Sequence, residues 1–434
     1  YEEMVEIDSS PTTGSCTRVV RAAEARLRAA SFSGTEAQVI VPEGAPEDGN
    51  LVARIEGSNR RAGAILLLAH IDVVDARRED WTRDPFTLYE EDGYFYGRGV
   101  ADDKAMAAIF LDMFIRMRSE NYRPRRTLKL ALTCGEETSN RVNGVDYLLR
   151  NHRGLIEADF ALNEGGDGVL SEDGRPLALL IQVGEKIHQV FELEVTNPGG
   201  HSSRPVPENA IYRLSMGLAR LSQHQFPVQL SETTRRFFER MAGIVGGDAG
   251  AAMAQLAADP NAQAAAAYLS RNPNYNAMMR TTCVATQLDA GHAPNALPQR
   301  ARATLSCRIL QSDTAENVQA ALERALNDPQ ITVRIVRRRD PSPPPPLARR
   351  ILDPAERVAQ RFWPGVPLVP YMLPGATDAR FLNAAGIHTY GLSGLFSIPG
   401  ENNAHGLNER LRVASVMTAR AYLDALVREY AATP

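Results

Sequence analysis

Three runs in this chain are apolar enough to be buried strands, and each stops in groups that bind protons or metal ions. "ILLLAHID" (Ile65–Asp72) ends in His70 and Asp72, "TLKLALTCGEE" (Thr127–Glu137) in Glu136 and Glu137, and "ADFALNE" (Ala158–Glu164) in Glu164. A core strand ordinarily stops in a turn built of glycine, asparagine or proline. The same unusual ending after three strands points to one shared edge, because open α/β sheets bind ligands beyond the carboxyl ends of their strands. Between the first two runs, "KAMAAIFLDMFIRMR" (Lys104–Arg118) repeats its apolar residues with helical period. Strands alternating with helices imply an α/β fold whose central sheet is mainly parallel and flanked by helices.

From His188 the texture changes. "HQVFELEVTN", "ENAIYRLSMGLARL", "CVATQLDAG", "QRARATLSCRI", "AENVQAALERAL" and "QITVRIVRRR" follow in the order β-α-β-β-α-β, the ferredoxin-like arrangement. The Ala-rich stretch from Gly246 to Leu269 reads as a helical excursion with Met253, Leu256 and Leu269 on its apolar side. "DPSPPPPL" (Asp340–Leu347) reads as a stiff connector. Beyond it the α/β texture returns, so residues 1–186 and 343–434 are expected to form one domain interrupted by an inserted one, 187–342. At 434 residues and 44% hydrophobic content the chain is long enough for two cores.

Composition excludes other classes. A net charge of −4 with interspersed signs gives no broad cationic face, and the basic cluster Arg334–Asp340 alternates like a strand with one wet side, so nucleic acid is not an expected partner. No apolar run approaches the ~18–20 residues that span a bilayer, so no membrane partner is expected. The first residue, Tyr1, fits an exported precursor that has lost a leader; a periplasmic or secreted location is expected, with a cytoplasmic one as the alternative. Cys16, Cys134, Cys283 and Cys307 lack the short paired spacing of zinc knuckles or of a disulfide framework. They are expected to be mostly buried small residues, with a Cys283–Cys307 bridge as the one pairing considered.

A further acidic pair, Asp102 and Asp103 in "GRGVADDKA", precedes the helix that starts at Lys104. Alone it reads equally as a helix cap. Histidine and carboxylates without cysteine at these turns suit a borderline-hard divalent ion: zinc, with cobalt or manganese as substitutes. Two neighbouring cations need a shared anionic ligand, and ions roughly 3.5–4 Å apart can lower the pKa of a shared water toward neutrality.

Nine motifs then fall in order: "AHIDVV", "YGRGVADDKA", "GEE", "NEGG", "NPGGHSSRP", "NALP", "CRI", "PGATDAR" and "NAHGLNE". In this series the chain resembles the cocatalytic zinc metallopeptidases that include glutamate carboxypeptidase, aminoacylase, acetylornithine deacetylase and succinyl-diaminopimelate desuccinylase. The run Asn274–Ile309 looks closest to the carboxypeptidase S-like branch. The resemblance implies a zinc-exopeptidase catalytic domain and an inserted ferredoxin-like lid or dimerisation domain. It implies two zinc ions held by His70, Asp102, Glu137, Glu164 and His405, with Asp102 as the bridge and a cis peptide bond between Asp102 and Asp103. Asp72 then fixes the tautomer of His70, and Glu136 is the general base. His201 resembles the histidine that reaches a partner subunit's site to stabilise the oxyanion, which implies a homodimer through the inserted domain. Arg308 and Asn295 match positions that engage the substrate carboxylate or the oxyanion, and Gly375 a loop whose backbone approaches the substrate. His152, His224, His292 and His388 have no such match.

The activity so implied is hydrolysis of a peptide or amide bond next to a free carboxylate by a metal-bridged hydroxide, as a carboxypeptidase or dipeptidase. The alternative is an aminoacylase acting on N-acyl amino acids. A non-catalytic metal-binding protein is the remaining reading.

Overall fold

The computed structural model describes residues 1–337 and 342–433. The end of the basic cluster and the start of the proline connector, residues 338–341, lie outside the described residues. The chain divides into two compact units. One comprises Tyr1–Val183, Pro344–Tyr371 and Thr377–Pro434; the other comprises Gly184–Pro343 and the short segment Met372–Ala376, which carries Gly375.

The first unit is built on a sheet of ten strands. At its centre Leu128–Thr133, Ile65–His70, Phe160–Asn163 and His388–Gly391 lie side by side and parallel. Antiparallel strands extend it, Asn50–Ile55 beside Leu128–Thr133 and Pro176–Glu185 beside His388–Gly391. Every residue of Ile65–His70 is buried, as a parallel strand covered on both faces requires. Alternation decides which layer each residue joins. Ile65, Leu67 and Ala69 share a core with Val19, Phe110 and Leu423 from the helices Cys16–Ala29, Lys104–Ser119 and Val413–Ala432. Leu66 and Leu68 pack instead with Val145, Leu148 and Leu382 from the helices Gly144–Asn151 and Ala379–Ala384. Register aligns the functional ends, since His70 pairs with Thr133 at the close of both strands.

The second unit is a four-stranded antiparallel sheet in the spatial order Thr282–Ala290, Arg300–Ile309, Ile187–Thr196, Thr332–Arg337. Phe191, Leu193 and Leu305 from the strands pack with Leu214 from Ala210–Ser222 and with Val318 and Leu322 from Ala315–Leu326. That is the ferredoxin-like order read from the sequence. The excursion between its first helix and second strand is four helices, Glu232–Val245, Gly247–Ala258, Gln263–Leu269 and Pro273–Met279, and Met253, Leu256 and Leu269 are buried in it.

The cysteines correct the sequence reading, because all four are paired. Cys283 and Cys307 face each other across neighbouring strands of the second unit. Cys16 at the start of the first long helix bonds Cys134, 118 residues away. Spacing signals only local frameworks, so a bridge that the fold itself creates leaves no pattern to read.

Candidate metal centre

His70 is the last residue of its strand, and Glu164 follows the last residue of Phe160–Asn163. After Leu128–Thr133 the chain must turn sharply to bring Glu136 and Glu137 to the same edge. Gly135 makes that turn at φ +81°, where a Cβ would stand 2.5 Å from the Val142 carbonyl oxygen, so only glycine fits. The peptide between Asp102 and Asp103 is cis. Asp103 occupies the cap position of Lys104–Ser119, yet its side chain makes no capping bond, and its buried Oδ2 has no hydrogen-bond partner. Capping therefore does not account for the acidic pair.

Two groups of three form at this edge. His70, Asp102 and Glu164 make one, and Asp102, Glu137 and His405 the other; in each, one donor atom per residue lies within 4.8 Å of the other two. His70 Nε2 is 2.9 Å from Asp102 Oδ1 and 3.7 Å from Glu164 Oε1. His405 Nε2 is 3.1 Å from Asp102 Oδ2 and 2.8 Å from Glu137 Oε2. Asp102 thus turns one carboxylate oxygen to each histidine, the orientation a bridging ligand needs. All five donors are imidazole nitrogen or carboxylate oxygen, a set that fits borderline-hard divalent ions.

The groups behind these donors differ in part from the sequence reading. His70 Nδ1 lies 3.0 Å from the backbone carbonyl of Asp72, while the Asp72 carboxylate is farther, at 3.7 Å. A carbonyl can only accept, so Nδ1 carries the proton and Nε2 is left to bind. The Asp72 carboxylate accepts instead from the amides of Glu136 (3.3 Å) and Glu137 (3.1 Å) and so orients the turn that carries both glutamates.

Glu409 is a positioning group that sequence reasoning missed. Its buried carboxylate accepts from the amides of Gly99, Ala101 and Asp102 at 3.0, 2.8 and 3.2 Å, and from Arg98 Nη1 at 2.8 Å. Arg98 also donates to the Gly406 carbonyl at 2.9 Å. One ion pair therefore ties the Asp102 loop to the His405 loop. Both residues lie inside motifs quoted above, but nothing in the sequence couples positions 311 apart.

A second clamp holds the far side of the His405 loop, where Glu401 accepts from Arg412 Nη2 at 2.5 Å, Arg412 Nε at 2.9 Å and Tyr94 Oη at 2.5 Å. Burial would raise the Glu401 carboxyl, but these bonds win and hold it down to about 2. A folded-state pKa below the unfolded value contributes stability that is present above the ordinary glutamate range and lost as pH falls toward 2. Glu401→Gln is expected to destabilise the protein by about 2 kcal/mol at pH 7. In urea melts the gap to wild type should close as pH is lowered from 4.5 to 2; a gap independent of pH would refute this account.

Charge in the site is out of balance. Burial, reinforced by neighbouring carboxylates, pushes Glu136, Glu137 and Asp103 above the usual carboxylate range, and Glu164 up to about 7. Opposite them, bonds to Asp102 and Glu137 raise His405 to about 10. So many acids crowded around two imidazoles call for added positive charge.

The four remaining sequence candidates lie in the second unit. His201 and Asn295 come together on one small ribbon: Gly200–His201 pairs with Ala296–Leu297, and Ser202 N donates to the Asn295 carbonyl at 3.1 Å. His201 Nδ1 accepts from Ser203 N at 3.1 Å and contacts Ser203 Oγ at 2.7 Å, so its exposed Nε2 carries the proton and can donate. Arg308 stands on another strand, Arg300–Ile309, in register with His188 and Thr282. Gly375 meets only ordinary contacts, with Leu373 at 3.5 Å, so nothing within the protein demands a glycine there.

This edge has the construction of a metallohydrolase centre. Residues 66–429 match the model of peptidase family M20/M25/M40, and the chain belongs to that family. It is a hydrolytic enzyme of the metallopeptidase type. It is 30% identical to the N-fatty-acyl-amino acid synthase/hydrolase PM20D1.1 of Danio rerio over 83% of this chain and 71% of that one. With the probable carboxypeptidase S-like 2 of Dictyostelium discoideum it shares 28% identity over 76% of this chain and 64% of that one. In fold it is similar to the M20 family metallo-carboxypeptidase Sso-CP2 of Sulfolobus solfataricus, with a TM-score of 0.71 and 19% identity, covering 99% of this chain and 98% of that one.

Proposed function

We propose that the chain is a two-metal exopeptidase, a carboxypeptidase or dipeptidase, that hydrolyses an amide bond next to a free carboxylate. The observation that carries this reading is Asp102, shared between two groups of histidine and carboxylate donors. His70, Asp102 and Glu164 would hold one ion and Asp102, Glu137 and His405 the other, with zinc the best match and cobalt or manganese as substitutes. Bound there, two such ions supply Lewis acidity and lower the pKa of water toward neutrality.

The chain's own groups do the rest. Glu136 belongs to neither set of ligands. With its amide fixed by Asp72, it takes the proton from the attacking water and delivers it to the leaving amine. His201 donates through Nε2 to the oxygen on which charge develops. The Arg308 guanidinium takes the substrate carboxylate, and Asn295 and the Gly375 backbone line its approach.

A substrate panel on the zinc-loaded protein tests this reading. Dipeptides with a free carboxyl terminus should be cleaved, and amidating that carboxylate should lower kcat/KM by at least ~10²-fold, the worth of one bidentate charged contact. Indifference to amidation would overturn it. The Danio rerio relative's name favours a second reading, release of amino acids from N-acyl donors. Faster turnover of a fatty-acyl amino acid than of every dipeptide would put that reading in place of the first.

The protein is further proposed to act as a homodimer through the second unit. The edge strand Thr282–Ala290 has a neighbour on one side only among the described residues, and it exposes Val284 and Leu288, each at 62%. Tyr212 and Met216 on Ala210–Ser222 are also exposed, and an uncovered edge with apolar side chains favours a second copy. Mixing inactive His201→Ala with inactive Glu136→Ala should restore part of the activity, since a heterodimer then has one intact site. No recovery on subunit exchange would refute action in trans. The two disulfides support a periplasmic or secreted location, because such bonds persist in oxidising compartments.

A further inference from the structure

Between the first short helix and Cys16, the segment Ile7–Ser15 bonds to three of the five segments that supply the centre's groups, those of His70, Asp102 and Glu137. Ser9, wholly buried, donates its hydroxyl to the Ile71 carbonyl at 2.6 Å, between His70 and Asp72. Lys104, buried and next to the Asp102–Asp103 pair, donates Nζ to the Ile7 carbonyl at 2.9 Å. Arg141, from the loop beyond Glu136 and Glu137, donates Nη2 to the carbonyls of Ser10 and Gly14 (2.8 Å to Gly14). Gly14 permits this close winding, since a Cβ there would meet Ser10 N at 2.3 Å.

The segment is fastened at its end. Cys16 bonds Cys134, both fully buried, and Cys134 precedes Glu136 by two residues. Arg141 Nη1 lies against both sulfurs, at 3.5 and 3.6 Å. Both sulfurs come within 4.8 Å of an Asp72 carboxylate oxygen, the group that holds the Glu136 and Glu137 amides. Because the sulfurs are bonded to each other, this trio is not a third metal site.

We propose that Ile7–Cys16 is a strap that positions the metal centre from behind, and that the Cys16–Cys134 disulfide locks it to the turn carrying Glu136 and Glu137. Ser9, Arg141 and the disulfide are positioning groups; none touches substrate. Their physical role is to remove freedom from loops that regular secondary structure leaves unconstrained. A ligand whose supporting shell is loose loses metal affinity, typically 10–100-fold. This inference rests on the ligand assignment above.

The test compares wild type with Cys16→Ala/Cys134→Ala by two readouts. One is the rate at which a chelator strips zinc from the loaded protein; the other is kcat separately from KM. A strap predicts zinc loss at least ~10-fold faster and kcat lowered at least ~10-fold, with KM little changed, because the substrate-carboxylate groups lie in the other unit. A disulfide that serves folding alone would lower Tm and leave the chelation rate and kcat of the folded protein unchanged, which would overturn the strap. Ser9→Ala keeps the disulfide and removes only the bond to the Ile71 carbonyl, so it serves where the double variant fails to fold. It should quicken zinc loss at least ~3-fold, and an unchanged rate would likewise refute the proposal. Failure of the ligand assignment is distinguishable, because wild type itself would then show no tight zinc to strip.

Discussion

Replacing Glu136 by alanine is expected to lower kcat by at least ~10²-fold while the protein keeps its divalent ions, the usual worth of one positioned base. Glu136 and Glu137 are adjacent in sequence and their amides share the Asp72 carboxylate, yet only Glu137 joins a donor group, 2.8 Å from His405 Nε2. That asymmetry separates a ligand from a base. Burial pushes the Glu136 carboxyl well above its ordinary range, and the neighbouring carboxylates of Glu164, Asp378 and Glu137 push the same way. A carboxylate so placed binds a proton more readily than a free glutamate, as a group that must take a proton from water requires. Elemental analysis beside steady-state kinetics checks the expectation. If the variant lost an ion and kept its turnover, the roles of Glu136 and Glu137 would have to be exchanged.

What the sequence disclosed, and what it hid, follows from how far each kind of signal reaches. The strand Ile65–His70 was legible because burial on both faces imposes a continuous apolar run, and the helix Lys104–Ser119 because its period is local. The inserted unit was legible from element order alone. His70, Glu137 and Glu164 were legible as candidates because three strands ending in acids or histidine must share an edge once the sheet is parallel, whereas the roles of Asp102 and His405 came only from the family resemblance. Partner choice over long separations was not. Nothing at Arg98 announces Glu409, nothing at Cys16 announces Cys134, and Ser9 reads as an ordinary polar residue until the fold places it under Ile71. Asp72 shows the same limit at close range. The family resemblance implied that it fixes the His70 tautomer, and it does so through its backbone carbonyl, leaving the carboxylate for two amides.

Asp102→Ala is the substitution expected to cost most, because it is the only change that should weaken both ions at once. Removing a group that merely supports a ligand typically costs 10–100-fold in metal affinity, so losing a shared ligand should cost each ion at least ~10². Glu164→Ala and His405→Ala each remove a donor from one group only, and should therefore leave the other ion in place. The comparison controls for folding, since all three variants thin the same crowd of acids and imidazoles. Asp102 also lies against Nε2 of both histidines, at 2.9 and 3.1 Å, so its loss frees two rings together while Glu409 still grips the amide of residue 102. The loop should keep its course and the centre lose its hinge. Metal counting on the three purified variants, with wild type as reference, should read near zero for Asp102→Ala and near one for each of the others. An Asp102→Ala protein that retains one tightly bound ion and measurable turnover would show that the two groups are independent sites, and the two-metal mechanism would fall with it.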